Sequence, residues 1–339
     1  MHRSELTIDL GAVRHNARTL LAALNGAQLW AVVKADAYGH GATDVAGAAL
    51  GAGASALCVA TVAEGLALRR DFPVARIVVM GPAGNREVGH ARDAHLELVV
   101  GTNEVPPGVR VHVKIDTGMG RWGVSELASP ALEVVGLMSH LATADTDAAY
   151  AEWQIERFRN ATAPYTHLER HIANSAGALR YPSSAFDAAR CGIALYGLSP
   201  FGTDPDEDGL RPVLGWSSYL AQTKLLRAGE STGYGRRFVA ERDTWIGIVP
   251  VGYADGFRRD LTGTSVRVGG EMRRVVGTVS MDAFAVELDH EAPVGTPVVI
   301  IGNGVLAESH ARVADTITYE LVCGIGSHPS RARRVIVDA

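Results

Sequence analysis

The most informative stretch of this 339-residue chain is residues 31–41, which read Ala31-Val32-Val33-Lys34-Ala35-Asp36-Ala37-Tyr38-Gly39-His40-Gly41. The apolar run 29–33 predicts a buried strand that ends in a single lysine. Burial disfavours the ammonium form, so such a lysine loses its proton more readily than one in water. A Schiff-base lysine needs that property. A lysine whose amine reaches solvent from a strand end is the structural alternative.

The composition predicts a globular protein long enough for two domains. A net charge of −5 argues against binding to nucleic acid or to an anionic membrane through bulk charge. Cys58, Cys191 and Cys323 lie far apart without a CxxC spacing, so neither disulfides nor a zinc site is predicted. The N-terminal residues lack the apolar segment of a signal peptide, and the chain has no apolar run of about 18 residues. We therefore expect a cytoplasmic protein without membrane spans.

Strands and helices are predicted to alternate over the first 200 residues, which is typical of a parallel sheet. Helices are expected at 11–25, 42–51, 63–70 and 147–163, and strands at 28–34, 56–61, 76–80, 96–100, 109–116, 134–140, 171–175 and 190–195. Eight such strands favour an α/β fold of the (β/α)₈ TIM-type barrel class. A doubly wound sheet is the alternative, but no GxGxxG motif follows the first strand.

The composition and the pattern of predicted elements change after residue 205. The acidic, turn-rich segment 203–209 is typical of a linker. Short strands are predicted beyond it at 216–226, 244–250, 265–268, 271–279, 283–288, 297–301 and 334–338, with one helix near 309–322. We therefore predict a barrel over residues 10–205 and a C-terminal, mainly β domain over residues 206–339, with residues 1–9 free to pair with it.

Several polar residues follow predicted barrel strands, where the chemistry of such barrels is located. Arg121 offers a planar fork to a carboxylate or phenolate, although pairing with a surface acid is the simpler explanation. His140 is a candidate to contact a cofactor ring, or else a buried structural histidine.

A phosphate site is predicted after the seventh and eighth strands, where barrels often have one. Asn174 and Ser175 open a helix there, and Gly192 and Ile193 follow nearby. Asn174 or Ser175 could equally be an ordinary N-cap. In the C-terminal domain, Tyr234 lies between two glycines, which fits either an exposed acid or base, or a simple turn with a packed ring.

The chain carries eight motifs in a fixed order over residues 31–282: the lysine stretch, then DTGMGRWG, SHLATAD, HIANSAG, RCGIALYG, GYGRRF, VGYADG and VSMD. In order and spacing they resemble the alanine racemase family. The resemblance implies a barrel that binds pyridoxal 5′-phosphate (PLP), followed by a β domain, in a homodimer whose active sites are shared. It also implies interconversion of L-alanine and D-alanine, which supplies D-alanine for peptidoglycan.

The resemblance further implies a role for each site residue. Lys34 would form the aldimine with PLP, and Lys34 and the partner's Tyr234 would be the two bases. The implied cofactor-binding residues are Lys34, Tyr38, His140, Asn174, Ser175, Arg190, Gly192 and Ile193, and the implied substrate-binding residues are Arg121, Tyr253 and Met281. Lys114 lies where some members carry a carbamylated lysine. No metal is implied.

Three positions depart from the family pattern. Thr278 replaces a common arginine, Ala283 replaces a common glutamine, and the stretch 326–331 lacks a tyrosine that many members have. A shallow substrate pocket discriminates only modestly between the methyl side chain of alanine and the hydroxymethyl side chain of serine. A racemase that prefers serine or another small amino acid is therefore the alternative. A PLP-dependent decarboxylase, a PLP carrier without turnover and an unrelated barrel enzyme are the remaining competitors.

Overall fold

The structure is a computed structural model that describes residues 2–338, and these form two compact units. Residues 11–201 and 205–211 form one, called the barrel unit here. Residues 2–10, 202–204 and 212–338 form the other, called the β unit. No helix among residues 2–338 is long and apolar enough to cross a membrane.

The barrel unit contains an eight-stranded, all-parallel sheet. After β1 (Glu5–Asp9), which belongs to the β unit, its strands are β2 Gln28–Val32, β3 Ala56–Val59, β4 Ile77–Val79, β5 Glu97–Val100, β6 Val111–Lys114, β7 Val134–Met138, β8 Glu169–His171 and β9 Ala188–Cys191. The hydrogen-bonded order runs from β8 down to β2 and then to β9. Backbone bonds from Asp187 to Arg170 and from Arg190 to Ala173, both 3.0 Å, nearly close the ring. The predicted TIM-type barrel is confirmed.

Helices follow most of these strands: α1 Leu10–Leu24, α2 Lys34–Tyr38, α3 Ala42–Gly51, α4 Val62–Asp71, α5 Asn85–Asp93, α6 Ala148–Thr162 and α7 Ser175–Arg180. In α1, Val13, Ala17, Leu20 and Leu24 are buried at helical spacing, so one apolar stripe faces the core. In β2, four consecutive residues are buried, as expected for a parallel strand covered on both faces.

The last two barrel strands begin and end earlier than predicted. Only His171 of the predicted strand 171–175 lies in β8, and residues 193–196 form a 3₁₀ turn after β9. The apolar residues Ile172 and Ala173, and residues 193–196, are buried beyond the strand ends. An apolar run in the sequence predicts burial, but it does not by itself predict that the residues pair in a sheet.

The β unit is built on a nine-stranded sheet. Its further strands are β10 Leu214–Tyr219, β11 Gln222–Leu226, β12 Ser231–Thr232, β13 Phe238–Val239, β14 Thr244–Val249, β15 Ser265–Val268, β16 Glu271–Val276, β17 Phe284–Leu288, β18 Pro297–Ile301 and β19 Arg333–Val337, with helices α8 Ala307–Val313 and α9 Thr318–Cys323. The sheet order is β11-β14-β17-β16-β15-β18-β10-β1-β19, and β12 pairs with β13 separately.

Strand β1 lies between β10 and β19, antiparallel to the first and parallel to the second. The predicted strand 216–226 is two strands joined at residues 220–221, and the predicted helix 309–322 is two short helices. The aromatic core of this unit includes Phe257 stacked on Phe284, with ring centroids 4.2 Å apart.

Candidate active site

Lys34 opens a left-handed turn at the carboxyl end of the barrel. The segment assigned as α2 has φ values of 51°, 51°, 54° and 55° at Ala35, Asp36, Ala37 and Tyr38. None of these residues is glycine, and left-handed helical geometry costs L-residues about 1–2 kcal/mol each. Such strain persists only where surrounding contacts fix the backbone, and it concentrates at functional sites. The sequence gives no sign of this handedness.

The end of the turn is packed against aromatic rings. Tyr196 lies 4.9 Å from the ring of Tyr38 and stacks on His40 at 4.6 Å, measured between centroids. The Tyr196 hydroxyl donates to the carbonyl of Val32 at 2.5 Å, which ties these rings to the strand that delivers Lys34. The position of Tyr38 is therefore set by buried packing.

A cavity of about 180 Å³ lies beside Lys34. It is lined by Lys34, Ala60, Met80, Gly81, Lys114, Arg121, Trp122, Met138 and His140. It thus brings together four residues predicted for the site, namely Lys34, Lys114, Arg121 and His140. Three of these four are lysine or arginine, so the cavity fits anionic ligands.

Lys114 carries an amine on this cavity whose pKa is lowered. Burial, together with the nearby positive charges of Arg121 and Arg190, lowers its pKa to about 8. The Trp122 ring lies 5.5 Å from Lys114 Nζ and 5.3 Å from Arg121 Cζ. About a tenth of Lys114 is therefore an uncharged, nucleophilic amine at pH 7.

Arg190 is buried and held by five hydrogen bonds. One guanidinium nitrogen bonds Nδ1 of His171 at 2.5 Å and the His171 carbonyl at 3.0 Å. The other bonds the carbonyl of Ser139 at 2.7 Å, Nδ1 of His140 at 3.2 Å and the carbonyl of Ile172 at 3.2 Å. Burial lowers the pKa of Arg190 to about 10, so it stays charged at neutral pH.

A chain of hydrogen bonds extends from Arg190 into the barrel core. His171 Nε2 lies 3.0 Å from His112 Nδ1, and His112 Nε2 lies 2.9 Å from Glu97. A guanidinium only donates, so His171 accepts at Nδ1 and donates at Nε2, and His112 does the same. Burial lowers the pKa of both histidines, which keeps them neutral. We call Glu97, His112 and His171 the histidine chain.

The carboxylate that ends the histidine chain is firmly ionised. Burial alone would raise the pKa of Glu97, but its hydrogen bonds with His112 and Arg76 and the positive charge of Arg76 hold that pKa at about 2. Arg76 also bonds Glu169, so the chain is anchored on a neighbouring strand. The histidine tautomers, and with them the plane of the Arg190 guanidinium, are therefore fixed from the core outward.

The predicted phosphate residues meet at the ends of β8, β9 and the lysine turn. Ser175 Oγ accepts from the backbone N–H groups of Gly192 at 3.1 Å and Ala194 at 3.3 Å. A Cβ at position 192 would lie 2.6 Å from the hydroxyl of Tyr38, so only glycine fits. Ile193, which follows, is buried. Asn174 accepts from Gly177 N–H at 2.9 Å. It is therefore the N-cap of α7, which was the alternative to a phosphate-binding role.

The β unit presents its three predicted site residues on the surface. Tyr234, Met281 and Tyr253 are 73%, 52% and 42% exposed. Tyr253 N–H donates to the Ser280 carbonyl at 3.0 Å, and so the loops that carry Tyr253 and Met281 are bonded together. Thr278, at one of the positions that depart from the family, donates its hydroxyl to the Tyr234 carbonyl at 2.8 Å.

Sequence reasoning missed several residues that hold this site. Gln154, buried on α6, accepts from Ala142 N–H at 2.8 Å and donates to the His140 carbonyl at 3.2 Å. Glu64 caps α4 and also bonds the lysine turn. The Thr61–Glu64 spacing is a readable capping-box signal. Gln154 has no comparable signal, because a buried glutamine on a helix looks like any polar residue in sequence.

Comparison with known proteins agrees with this geometry. The models for the N-terminal and C-terminal domains of alanine racemase match residues 8–200 and 213–335. Alanine racemase 1 of Bacillus subtilis (strain 168) is 39% identical over 96% of this chain and 91% of that protein.

Solved structures extend the comparison. The alanine racemase of the D-cycloserine producer Streptomyces lavendulae has a TM-score of 0.92 at 35% identity, over 100% of this chain and 98% of that one. The Bartonella henselae alanine racemase, described with covalently bound pyridoxal phosphate, has a TM-score of 0.87 at 26% identity, over 98% and 99% of the two chains. This chain therefore belongs to the alanine racemase family of PLP-dependent isomerases.

Proposed function

We propose that this protein interconverts L-alanine and D-alanine with PLP, using Lys34 and the Tyr234 of a second copy as the two bases. The observation that carries the proposal is the cavity lined by Lys34, Lys114, Arg121 and His140, the last of which contacts the buried Arg190. This arrangement joins an amine fixed on a strand end to a cationic site suited to a phosphorylated cofactor and a substrate carboxylate.

The residues present fit PLP. The close approach of Tyr38 to Gly192, and the N–H groups gathered at Ser175, form a tight polar cradle suited to a phosphate. In this proposal Tyr38, Asn174, Ser175, Gly192 and Ile193 hold the phosphate, and Lys34 carries the cofactor covalently. His140 and Arg190 would contact the ring. When bound, PLP acidifies the Cα–H of an attached amino acid by accepting electron density.

Inversion at Cα needs proton transfer on both faces. Lys34 Nζ would exchange a proton with Cα from one face, and Tyr234 Oη of a second copy would do so from the other. The exposure of Tyr234, Tyr253 and Met281 supports their use at a surface completed by a homodimer. Arg121 would hold the substrate carboxylate in a bidentate pair.

Lys114 is proposed to be a carbamate in the active protein. The uncharged Nζ would bond to the carbon of carbon dioxide, one C=O π bond would open to give the carboxylate, and one N–H proton would leave to solvent. The lowered pKa of about 8 provides the uncharged amine. Carbamylation would convert a cation beside Arg121 into an anion. The mutual repulsion that now lowers the pKa of Lys114 would become an attraction that orients the Arg121 guanidinium toward substrate.

A racemase that prefers serine is the second candidate. The stretch 326–331 has no tyrosine, and His328 bonds Ser330 there at 2.7 Å between Nδ1 and Oγ. We propose alanine first, because the matched family models and relatives are alanine racemases. In the cell, D-alanine made in the cytoplasm would serve peptidoglycan, which growth of a D-alanine auxotroph carrying this gene would test.

The deciding experiment measures conversion of L-alanine and of L-serine by the purified protein with PLP, beside Lys34→Ala. We expect rapid formation of D-alanine that Lys34→Ala abolishes. Faster conversion of serine would retain the mechanism and change the substrate. A visible absorbance band of bound PLP that depends on Lys34, without conversion of either amino acid, would refute the proposed activity.

A further inference from the structure

The carboxylate of Glu64 bonds two strand ends at once. Its Oε1 accepts from the N–H of Ala35, directly after Lys34, at 2.7 Å. Its Oε2 accepts from the N–H groups of Ala60 at 2.8 Å and Thr61 at 3.0 Å. Ala60 lines the same cavity as Lys34. One side chain therefore connects the lysine turn after β2 to the end of β3.

Directly before the turn, Val33 N–H donates to the Cys58 carbonyl of β3 at 2.9 Å, and the other backbone bonds at the turn are local. The N–H groups of Ala37 and Gly39 reach the carbonyls of Val33 and Ala35, and the Asp36 carboxylate accepts from Ala42 N–H. Local bonds of this kind set the shape of the turn but not its orientation relative to the neighbouring strand. The bond from Glu64 crosses to another βα unit, and it fixes the peptide plane between Lys34 and Ala35.

We propose that Glu64 is a positioning residue for Lys34, which it holds in the orientation that the cofactor and Cα require. This inference rests on the proposed function for its kinetic consequences. Both oxygens are needed, because each accepts from a different strand end. Glutamine keeps the shape of the side chain but replaces one acceptor oxygen with a donor, so one of the two connections must be lost.

The chain provides a matched control. Glu87 caps α5 as Glu64 caps α4, and its carboxylate accepts from Gly84 N–H at 2.8 Å. Glu87→Gln therefore removes the same type of cap on the same barrel without a bond to the lysine turn. Thr61→Ala is a second control, because it weakens the cap of α4 and leaves the Glu64 carboxylate in place.

The experiment compares Glu64→Gln, Glu87→Gln, Thr61→Ala and the unchanged protein, all loaded with PLP. We expect Glu64→Gln to lower kcat/KM and to raise the rate of PLP release, each about tenfold, since small displacements of a reacting group have large effects on rate. The two controls should match the unchanged protein in both rates. Equal values for Glu64→Gln and the controls would overturn the inference.

A second measurement does not require turnover. Acetylation of Lys34 in the cofactor-free full-length chain is followed by peptide mass spectrometry, with Lys224 as the internal reference. We expect the ratio of Lys34 to Lys224 labelling to rise at least about twofold in Glu64→Gln alone, because the amine is less restrained. An unchanged ratio would overturn the inference. Failure of the unchanged protein to racemise alanine would instead overturn the proposed function, while the labelling result would still decide the role of Glu64.

Discussion

The barrel unit and the β unit present their candidate site residues in opposite ways. Arg190 is 3% exposed and makes five hydrogen bonds, whereas Tyr234 is 73% exposed on a short turn. The barrel residues are preorganised by buried packing and fixed tautomers. The β-unit residues have no such burial within the described chain. The proposed function accounts for this difference if the barrel supplies one preorganised half of the site and a second copy supplies the other half.

The strongest test of this division combines two inactive variants. Lys34→Ala and Tyr234→Phe should each lower kcat by at least about 10³-fold, since each removes a base. After the two are unfolded together and refolded at equal amounts, about a quarter of wild-type activity should return, because half of randomly paired dimers contain one intact shared site. The measurement is racemisation of L-alanine before and after mixing. Absence of recovery, with dimers verified by mass, would contradict a shared site.

Lys114→Ala tests the cationic side of the cavity. We expect kcat/KM to fall about 10²-fold through loss of orientation of Arg121. Small carboxylates such as acetate should restore part of the activity, because they replace the proposed carbamate. Carbamylation of the unchanged protein should increase as the pH rises through about 8, where the amine loses its proton. The mass of the intact protein in bicarbonate buffer, compared with that of Lys114→Ala, measures the carbamate. Full activity in a protein without the carbamate would contradict the proposed role of Lys114.

Glu97→Gln tests the histidine chain. Removing the charge that pairs with Arg76 in a buried position should lower the free energy of unfolding by about 3 kcal/mol and kcat/KM about tenfold. The pKa of Glu97 is depressed to about 2, so the stability it contributes is present above pH 4.5 and lost as the pH falls toward 2.

Urea unfolding between pH 7 and pH 3 measures this loss. Glu126→Gln, at an exposed position on the same unit, is the control. It should leave the free energy of unfolding within about 0.5 kcal/mol of the parent and kcat/KM unchanged. Unchanged kinetics in Glu97→Gln would show that the orientation of Arg190 does not depend on Glu97, which ends the histidine chain.

The two halves also differ in how much of them the sequence predicts. Alternation of apolar runs and helices predicts the barrel, because that pattern is local in the chain. The order and spacing of the family motifs predict Lys114, Arg121 and His140, which line the cavity with Lys34. The histidine chain joins residues 97, 112 and 171 across three strands, and each one alone resembles a core polar residue. Such contacts follow from barrel closure and have no short-range signal.

Backbone handedness was similarly beyond prediction. Four consecutive non-glycine residues after Lys34 are left-handed, although alanine and tyrosine rarely adopt that geometry. In the β unit, the alternation of short strands predicts the sheet, but it does not predict the single residue pair that splits 216–226 into β10 and β11. In both places, tertiary contacts override the local preference of the chain.

The smallest expected effect concerns this handedness. Ala35→Gly should relieve about 1 kcal/mol of strain and lose part of that gain to the greater entropy of the unfolded chain, for a net stabilisation of about 0.5 kcal/mol. Ala67→Gly, at an exposed position within the right-handed helix α4, should instead destabilise by about 1 kcal/mol. Urea unfolding of the two variants gives the signs directly. Destabilisation of both would mean that the left-handed backbone at Ala35 is not a net source of strain in the folded protein.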